Sequence, residues 1–401
     1  MFYLSDKVYI VNGAVNSAIY DLKKGELYHI GSEISNLIIK LTEHNKIDLT
    51  DTEIKYKKEL IDLGIITEDC VKKHKIEELY ENTEIQFAWI EITNMCNMKC
   101  IHCYEEADYQ KGKIMSYVDF CHIIDELVLA KIKRIQIIGG EPFILGEKIF
   151  KYLEYCNDKF DYIEIFTNGT LIKDEWFAEL KRRNIRIALS VYSYNESQHN
   201  KVTKNYESWK KTNNTIKKLN DYDINYRVKN VLMKGVDLGK RNTVLYELSA
   251  KRDIVRLTGR AKLDLLSDEL IKNKLITEKN LVYRINENLV RKCVSGHNCF
   301  SRRLYFDVEL NVFPCVMERR ICHGTIKQKS LREVLKTDIF KMNKNYVEQC
   351  KICEFRYCCF DCRPDSNGND VFSKPWYCTY YPEKGEWEGD IEKFIENLRN
   401  I

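Results

Sequence analysis

The run Cys96-Asn97-Met98-Lys99-Cys100-Ile101-His102-Cys103 places three thiols within eight residues, at C-x3-C-x2-C spacing. Three thiolates in one loop cannot complete a tetrahedral four-ligand site. They can hold three irons of a [4Fe–4S] cluster and leave the fourth iron open, whereas a purely electron-carrying cluster takes four cysteines. An open iron is a place where a substrate can bind. A zinc site or chance spacing is the alternative. A second set of thiols follows near the C-terminus: Cys293-x5-Cys299-x15-Cys315, then Cys350-x2-Cys353-x5-Cys359-x2-Cys362, then Cys378. Eight ligands suffice for two fully coordinated clusters, with zinc knuckles as the alternative.

These groups account for most of the 16 cysteines in the 401-residue chain. Six cysteines lie before residue 293, and the other ten crowd between Cys293 and Cys378. In a reducing cytoplasm such usage points to metal or redox chemistry and away from disulfides. Proline is as uneven: Pro142 alone in the body, then Pro314, Pro364, Pro375 and Pro382. The chain therefore changes character near residue 290. Cys322 and Cys358 are spare thiols within the tail, and Cys70, Cys121 and Cys156 read as core residues. The net charge of +4, from 64 basic and 60 acidic residues, argues against nucleic acid or an acidic membrane as the main partner. No basic segment precedes an apolar run at the N-terminus, and no stretch approaches the roughly 18 apolar residues of a membrane span. The expected location is the cytoplasm.

The elements that must position the first triad are strands alternating with helices. Strand candidates are Gln86–Thr93, Ile132–Ile138, Tyr162–Phe166, Ile185–Val191, Tyr226–Met233 and, more weakly, Ile254–Leu257. Helical periods recur at Phe120/Ile123/Leu127, Ile149/Phe150/Leu153, Trp176/Phe177/Leu180 and Val244/Leu245/Leu248. Ser116 and Asp119 form a capping signal for the first of these helices. Such alternation implies right-handed βαβ units and a parallel sheet. The expected fold is α/β, a partial (β/α)6 TIM-like barrel over 85–285, with ligands near the carboxyl ends of its strands. A small α+β domain over 1–80 would precede it. Its strands are Val8–Val11, Ala18–Tyr20 and Glu26–Ile30, and its helices carry Ile34/Leu37/Ile38/Leu41 and Ile54/Leu60/Leu63. A cysteine-rich, cluster-binding domain over 290–387 and a C-terminal helix over 388–401 complete the division.

The triad, placed just after the first barrel strand, resembles the motif of the radical S-adenosylmethionine superfamily. Gly139-Gly140-Glu141-Pro142, ending the second strand, is similar to that family's turn for the methionine amino group. Glycines let backbone approach a ligand, and Glu141 offers a negative charge to an ammonium. By the same resemblance Asn168, after the third strand, and Ser190, on the fourth, fall where cofactor contacts are found. His102 stands where an aromatic residue is usual. The tail resembles the SPASM domain: Asn311-Val312-Phe313-Pro314-Cys315 matches its hairpin, with Leu310 where glycine is usual. The resemblance implies one auxiliary cluster on Cys293, Cys299, Cys315 and Cys362. It implies a second on Cys350, Cys353, Cys359 and Cys378, with Cys358 able to substitute for Cys359. The segments Cys353–Tyr357, Cys378–Trp387 and Val11–Leu22 look like peptide-maturing members, the grasp-with-spasm and thioether-forming maturases.

What this implies is an oxidoreductase with S-adenosylmethionine and three [4Fe–4S] clusters, supplied with electrons by a donor such as flavodoxin or ferredoxin. Its substrate would be a ribosomal precursor peptide, cross-linked through a thioether or a carbon–carbon bond. The N-terminal domain would hold the leader by strand addition or serve as a plain cap. Formylglycine generation on a protein is the second enzymatic reading. An electron-transfer or peptide-binding protein is the non-enzymatic one. No catalytic acid or base can be named from the sequence.

Overall fold

In the computed structural model, residues 1–401 are described except 45–47, 242–243, 249–252, 282–283, 298–299, 369 and 401. The chain folds as two units. One comprises Met1–Thr83, Leu275–Ser301 and Ile339–Ile401; the other comprises Glu84–Lys274 and Arg302–Asp338.

In the first unit, β1 (Val8–Asn12), β2 (Ser17–Asp21) and β3 (Glu26–Ile30) form an antiparallel meander in that order. Asp21 Oδ1 accepts from the amides of Lys23 and Lys24, at 3.0 and 2.9 Å, and Gly25 supplies the left-handed residue (φ +74°) that closes the turn. α1 (Ser32–Glu43) buries Leu37, Ile38 and Leu41. α2 (Asp51–Asp62) starts at a Thr50/Glu53 capping box. Of the three apolar residues expected to seat α2, only Leu60 is buried; Ile54 and Leu63 are exposed. Two short strands, Tyr3–Leu4 and Ile66–Thr67, pair in addition.

The meander shares a core with the cysteine-rich segment of the same unit. Tyr20, Phe355, Tyr357, Cys358 and Tyr380 pack in one apolar cluster. Tyr20 Oη donates to the carbonyl of Glu354 at 2.9 Å, and the amide of Ala14 donates to that of Ile352 at 2.9 Å. A Cβ at Gly13 would lie 2.5 Å from Glu354 Oε2. Close packing against residues 352–354 is therefore a physical reason for glycine in the Val11–Leu22 segment. The expected terminal helix is Ile391–Arg399.

The second unit is built on β4 (Phe87–Thr93), α3 (Tyr117–Leu129), β5 (Arg134–Gly139), α4 (Lys148–Cys156), β6 (Tyr162–Thr167), α5 (Trp176–Arg182), β7 (Arg186–Ser190), α6 (Glu196–Thr203), α7 (Ser208–Asp221) and β8 (Tyr226–Lys229). The five strands pair in parallel, in sequence order. Ile135, Ile137, Ile165 and Ile187 are fully buried, as are Phe120, Ile123, Ile124 and Leu127 on α3. Each such side chain contributes about 1.5–3 kcal/mol of apolar burial. Ser116 caps α3, its Oγ accepting from the amide of Asp119 at 3.1 Å.

Two expectations fail beyond β8. The sixth strand, Ile254–Leu257, is reduced to one parallel bridge between Leu232 and Ile254. Residues 244–248 are not helical: Leu245 is exposed while Tyr246 is buried, the reverse of an amphipathic Leu245/Leu248 face. The other edge of the sheet is extended instead. β9 (Arg303–Phe306) pairs in parallel with β4, and β10 (Asn311–Phe313) and β11 (Gly324–Thr325) follow antiparallel. Leu310 holds the glycine-like position of this hairpin at φ +63°, buried, with Asp307 Oδ1 accepting from the amides of Glu309 and Asn311.

Candidate functional site

The triad loop leaves the carboxyl end of β4 and is held from three sides. The amide of Gly140 donates to the carbonyl of Thr93 and that of Glu141 to the carbonyl of Met95, both at 2.8 Å. A Cβ at Gly139 would lie 2.1 Å from Thr93 O, and one at Gly140 2.1 Å from Met95 O. These glycines thus bring the turn onto the chain leading into Cys96. From α6, the carbonyls of Thr203 and Val202 accept from the amides of Lys99 (3.3 Å) and Ile101 (3.0 Å). On the third side the Arg260 amide donates to Cys103 O at 3.0 Å, and its guanidinium reaches Cys100 O (3.4 Å) and Ala107 O (2.7 Å).

Glu141 is placed differently from the expectation of a free carboxylate facing an ammonium. It is fully buried, and three donors of the protein already use it: Phe143 N (3.1 Å) and Thr167 Oγ1 (2.7 Å) on Oε1, and Asn168 N (2.7 Å) on Oε2. Burial pushes its carboxyl up to about 7 against the pull of those hydrogen bonds. Its work here is to fix the turn after β6. Asn168 in turn donates from Nδ2 to Asn97 Oδ1 at 2.8 Å, and Asn97 Nδ2 donates to Thr170 Oγ1 at 2.9 Å. The Asn168 side-chain amide therefore orients the triad loop. Pro142 is buried at the start of a short 3-10 turn.

The three thiols line one cavity together with the Gly139–Gly140 backbone, Asn168, Ser190, His102 and His199. Burial, then the charge of Glu141, pushes the Cys96 thiol up to about 12; burial and the neighbouring thiols push Cys100 up as well. Thiols so placed give up their protons to a bound metal. Among the described residues no three His, Cys, Asp or Glu side chains converge as ligands of a single ion. Two orphaned nitrogens complete the cavity: His102 Nδ1 and His199 Nε2 are buried without a hydrogen-bond partner. His199 Nδ1 accepts from the amide of Tyr192 at 3.3 Å, so Nε2 carries the ring proton and is an unused donor. The rings of His102 and Tyr192 meet edge to face, centroids 4.7 Å apart. The donor set, the backbone cradle and the two orphaned nitrogens fit an iron–sulfur cluster with a polar, aromatic-bearing ligand.

His199, Asn97 and Arg260 were not legible as site residues. Neither was a buried network on the same sheet, in which Tyr305 Oη meets the Glu91 carboxylate and accepts from Arg319 Nη2 at 2.6 Å, while Arg319 pairs with Glu105. Burial and then Glu105 push Glu91 up to about 8. One acidic residue inside the apolar run Phe87–Thr93 was the available signal.

The tail cysteines are distributed over both units. Cys315 belongs to the second; Cys293, Cys350, Cys353, Cys359, Cys362 and Cys378 belong to the first, and Cys299 lies outside the described residues. Cys350, Cys353, Cys359 and Cys378 act electrostatically on one another, and burial raises all four thiols. Cys358 is otherwise engaged, with its sulfur 3.5 Å from Tyr20 Oη and 3.3 Å from the carbonyl of Phe355. Cys322 is exposed, as is Cys70, contrary to the expectation of a core thiol; Cys156 is buried.

Known proteins share parts of this architecture. Residues 90–244 match the model of the Radical SAM superfamily. The antilisterial bacteriocin subtilosin biosynthesis protein AlbA of Bacillus subtilis (strain 168) is 33% identical over 143 residues, 35% of this chain and 32% of that protein. A probable GTP 3',8-cyclase of Methanococcus maripaludis is 30% identical over 128 residues, 30% of this chain and 42% of that protein. The chain thus spans well under half the length of these curated relatives. Among solved structures, Streptococcus suis SuiB bound to precursor peptide SuiA superposes with a TM-score of 0.55 at 14% identity, covering 91% of this chain and 96% of the other. A histidine-tagged anSMEcpe with bound AdoMet gives 0.54 at 19% identity, covering 79% and 96%. These likenesses establish the fold. No helix among the described residues is long and apolar enough to cross a membrane.

Proposed function

We propose that this chain, which carries a radical SAM domain over residues 90–244, is an oxidoreductase that matures a ribosomal precursor peptide. The observation that carries the proposal is the cavity where Cys96, Cys100 and Cys103 meet the Gly139–Gly140 backbone and two unpartnered histidine nitrogens. Cys96, Cys100 and Cys103 would hold a [4Fe–4S] cluster, and Gly139, Gly140, His102, Ser190 and His199 would contact S-adenosylmethionine. When bound, these groups supply a 5′-deoxyadenosyl radical able to take hydrogen from an unreactive C–H bond. The protein's own contribution is positional. Asn97 and Asn168 lock the loop, the Thr203 and Val202 carbonyls brace it, and Glu141 fixes the turn after β6.

Cys350, Cys353, Cys359 and Cys378 would bind one auxiliary cluster. Clusters with four protein ligands have no open iron, so they suit removal of the electron left by an oxidative cross-link. The bond formed would be a thioether or a carbon–carbon bond. AlbA, named for subtilosin biosynthesis, and SuiB, solved with its precursor peptide, support the choice of a peptide. In the N-terminal meander β1 pairs with β2 on one side, and among the described residues no strand pairs its other edge. That edge is where a leader peptide would add as a strand. Reductant would come from flavodoxin or ferredoxin in the cytoplasm.

Anaerobic incubation with S-adenosylmethionine, reductant and candidate Cys-containing peptides tests the reading by mass. The expected product has lost two hydrogens, with one free thiol fewer. Conversion of a Cys to an aldehyde would instead assign formylglycine formation, the second reading, to which the fold of anSMEcpe lends support.

A further inference from the structure

The solvent side of α6 and α7 carries a concentration of positive charge. Residues 196–218 hold six lysines against two glutamates, a surplus of four that equals the net charge of the whole 401-residue chain. The rest of the chain is balanced, and its excess sits on this pair of helices. Lys201, Lys204, Lys210, Lys211 and Lys217 are exposed, and Tyr206, in the turn between the helices, is 82% exposed. Three lysines are matched by carboxylates: Lys210 by Glu196 at 3.4 Å, Lys211 by Glu207 at 2.6 Å and Lys218 by Asp174 at 3.2 Å. Lys201 Nζ donates to the carbonyl of Gly235 at 3.1 Å. Among the described residues no carboxylate pairs with Lys201, Lys204 or Lys217.

The inner side of the same helices belongs to the triad. His199 and Thr203, one turn apart on α6, line the cavity of Cys96, Cys100 and Cys103. Lys201, between them, and Lys204, just after them, are exposed on the other side. The carbonyl of Thr203 accepts from the amide of Lys99 at 3.3 Å, one residue from Cys100, and that of Val202 from Ile101 at 3.0 Å. α7 rests on the turn that orients the triad loop: Thr212 Oγ1 donates to the carbonyl of Asn168 at 2.8 Å, and Thr215 Oγ1 to that of Gly169 at 2.6 Å. A helix with its side chains is about 10–12 Å across, so one helix thickness separates the lysines of α6 from the cavity. Electron tunnelling falls steeply with distance, and a wall this thin admits an electron from a carrier seated on its outer side.

We infer that the lysine face of α6 and α7, around Lys204 and Tyr206, docks a protein of acidic surface that carries one electron at a time. The inference rests on the radical reading above, in which the group held by the triad takes one electron from a donor. In that step the donor is oxidised by one electron and the triad group reduced by one; no bond forms or breaks and no proton moves. Opposite charge steers such a partner to the face and fixes its orientation, and electron-transfer encounters need only a small interface. Lys204 and Lys217 have no carboxylate to give up on docking, and Tyr206 offers the patch an aromatic contact. An acidic peptide substrate would be drawn to lysines too. A substrate, however, has to reach the cavity on the inner side of α6, and these lysines lie on the outer side.

The test compares two reductants on the iron-loaded full chain, reading 5′-deoxyadenosine release from S-adenosylmethionine without oxygen. One is reduced flavodoxin, chosen for its acidic surface; the other is dithionite with methyl viologen, whose reduced form is a small cation. Lys204→Glu together with Lys217→Glu is expected to lower the flavodoxin-supported rate about tenfold and to leave the viologen-supported rate unchanged. Lys133→Glu, just before β5 at the amino end of the sheet, should change neither. With the unaltered chain, raising salt to about 0.15 M, where charges are screened beyond about 8 Å, should slow the flavodoxin reaction alone. That measurement carries the test where the double variant does not fold. A flavodoxin-supported rate that ignores both the double variant and salt, or falls as far with Lys133→Glu, overturns the inference. So does a viologen-supported rate that falls alongside, since the lysines would then serve the cavity itself, and so does a chain that viologen drives and flavodoxin does not. A chain that releases no 5′-deoxyadenosine with viologen overturns the radical reading, and the inference with it.

Discussion

The two groups of thiols in this chain are built on opposite plans. The triad Cys96, Cys100 and Cys103 lines a cavity, is positioned by backbone hydrogen bonds together with the side chains of Asn97, Asn168 and Arg260, and has unused polar atoms beside it. A neighbouring cation, Arg260, spends donors on the carbonyls of Cys100, Cys103 and Ala107. Cys350, Cys353, Cys359 and Cys378 lie in the other unit, where Cys353 and Cys378 pack against the aromatic cluster of Tyr20, Phe355, Tyr357 and Tyr380 and burial raises all four thiols. The contrast assigns different work. On the proposed reading, a cluster held by three thiols beside a cavity would take a substrate, and one held by four would exchange only electrons.

The sharpest way to break this contrast is to remove one group and watch the other. Replacing all three triad cysteines by alanine should abolish 5′-deoxyadenosine formation and lower bound iron by about four per chain, while the tail keeps its own iron. Chromatography of the nucleoside and an iron assay read the two outcomes separately. Within the tail, Cys359→Ala should cost about four irons per chain. Cys358→Ala should leave iron unchanged and cost about 1 kcal/mol of packing, because its sulfur faces Tyr20 and the Phe355 carbonyl. Iron retained in both single variants would show that the two adjacent cysteines are interchangeable.

Smaller effects probe the cavity. Gly140→Ala forces a methyl group to 2.1 Å from the carbonyl of Met95. It should destabilise the fold by about 2 kcal/mol, seen as a lower thermal midpoint, and loosen the triad loop with it. His199→Ala removes the unused Nε2 donor and should weaken S-adenosylmethionine binding about tenfold, or about 1.4 kcal/mol, by equilibrium dialysis. Tail iron should be unaffected in both.

Much of the barrel was legible because its parallel strands are short apolar runs between helices of clear period. The strand expected at Ile254–Leu257 and the helix expected at 244–248 failed for the same reason: a few apolar residues in a polar stretch do not define which face is buried. The triad was legible from spacing alone. Its supports were not, since Asn97 meets Asn168 across 71 residues and Arg260 meets Cys100 across 160. Glu141 shows the limit of residue type as evidence. A carboxylate beside a cofactor turn suggested an ion pair with a ligand, yet its neighbours on β6 and in the following turn claim it first. Leu310 shows the reverse. The leucine stands where glycine is usual, yet the hairpin forms with Leu310 buried at positive φ.

The central claim is that the triad loop and its cavity generate a radical from S-adenosylmethionine. The direct measurement is 5′-deoxyadenosine released by the iron-loaded, anaerobically reduced chain, beside the variant lacking Cys96, Cys100 and Cys103. The account predicts release by the intact chain and none by the variant. An iron-loaded chain that releases none, or a variant that releases as much, would contradict it.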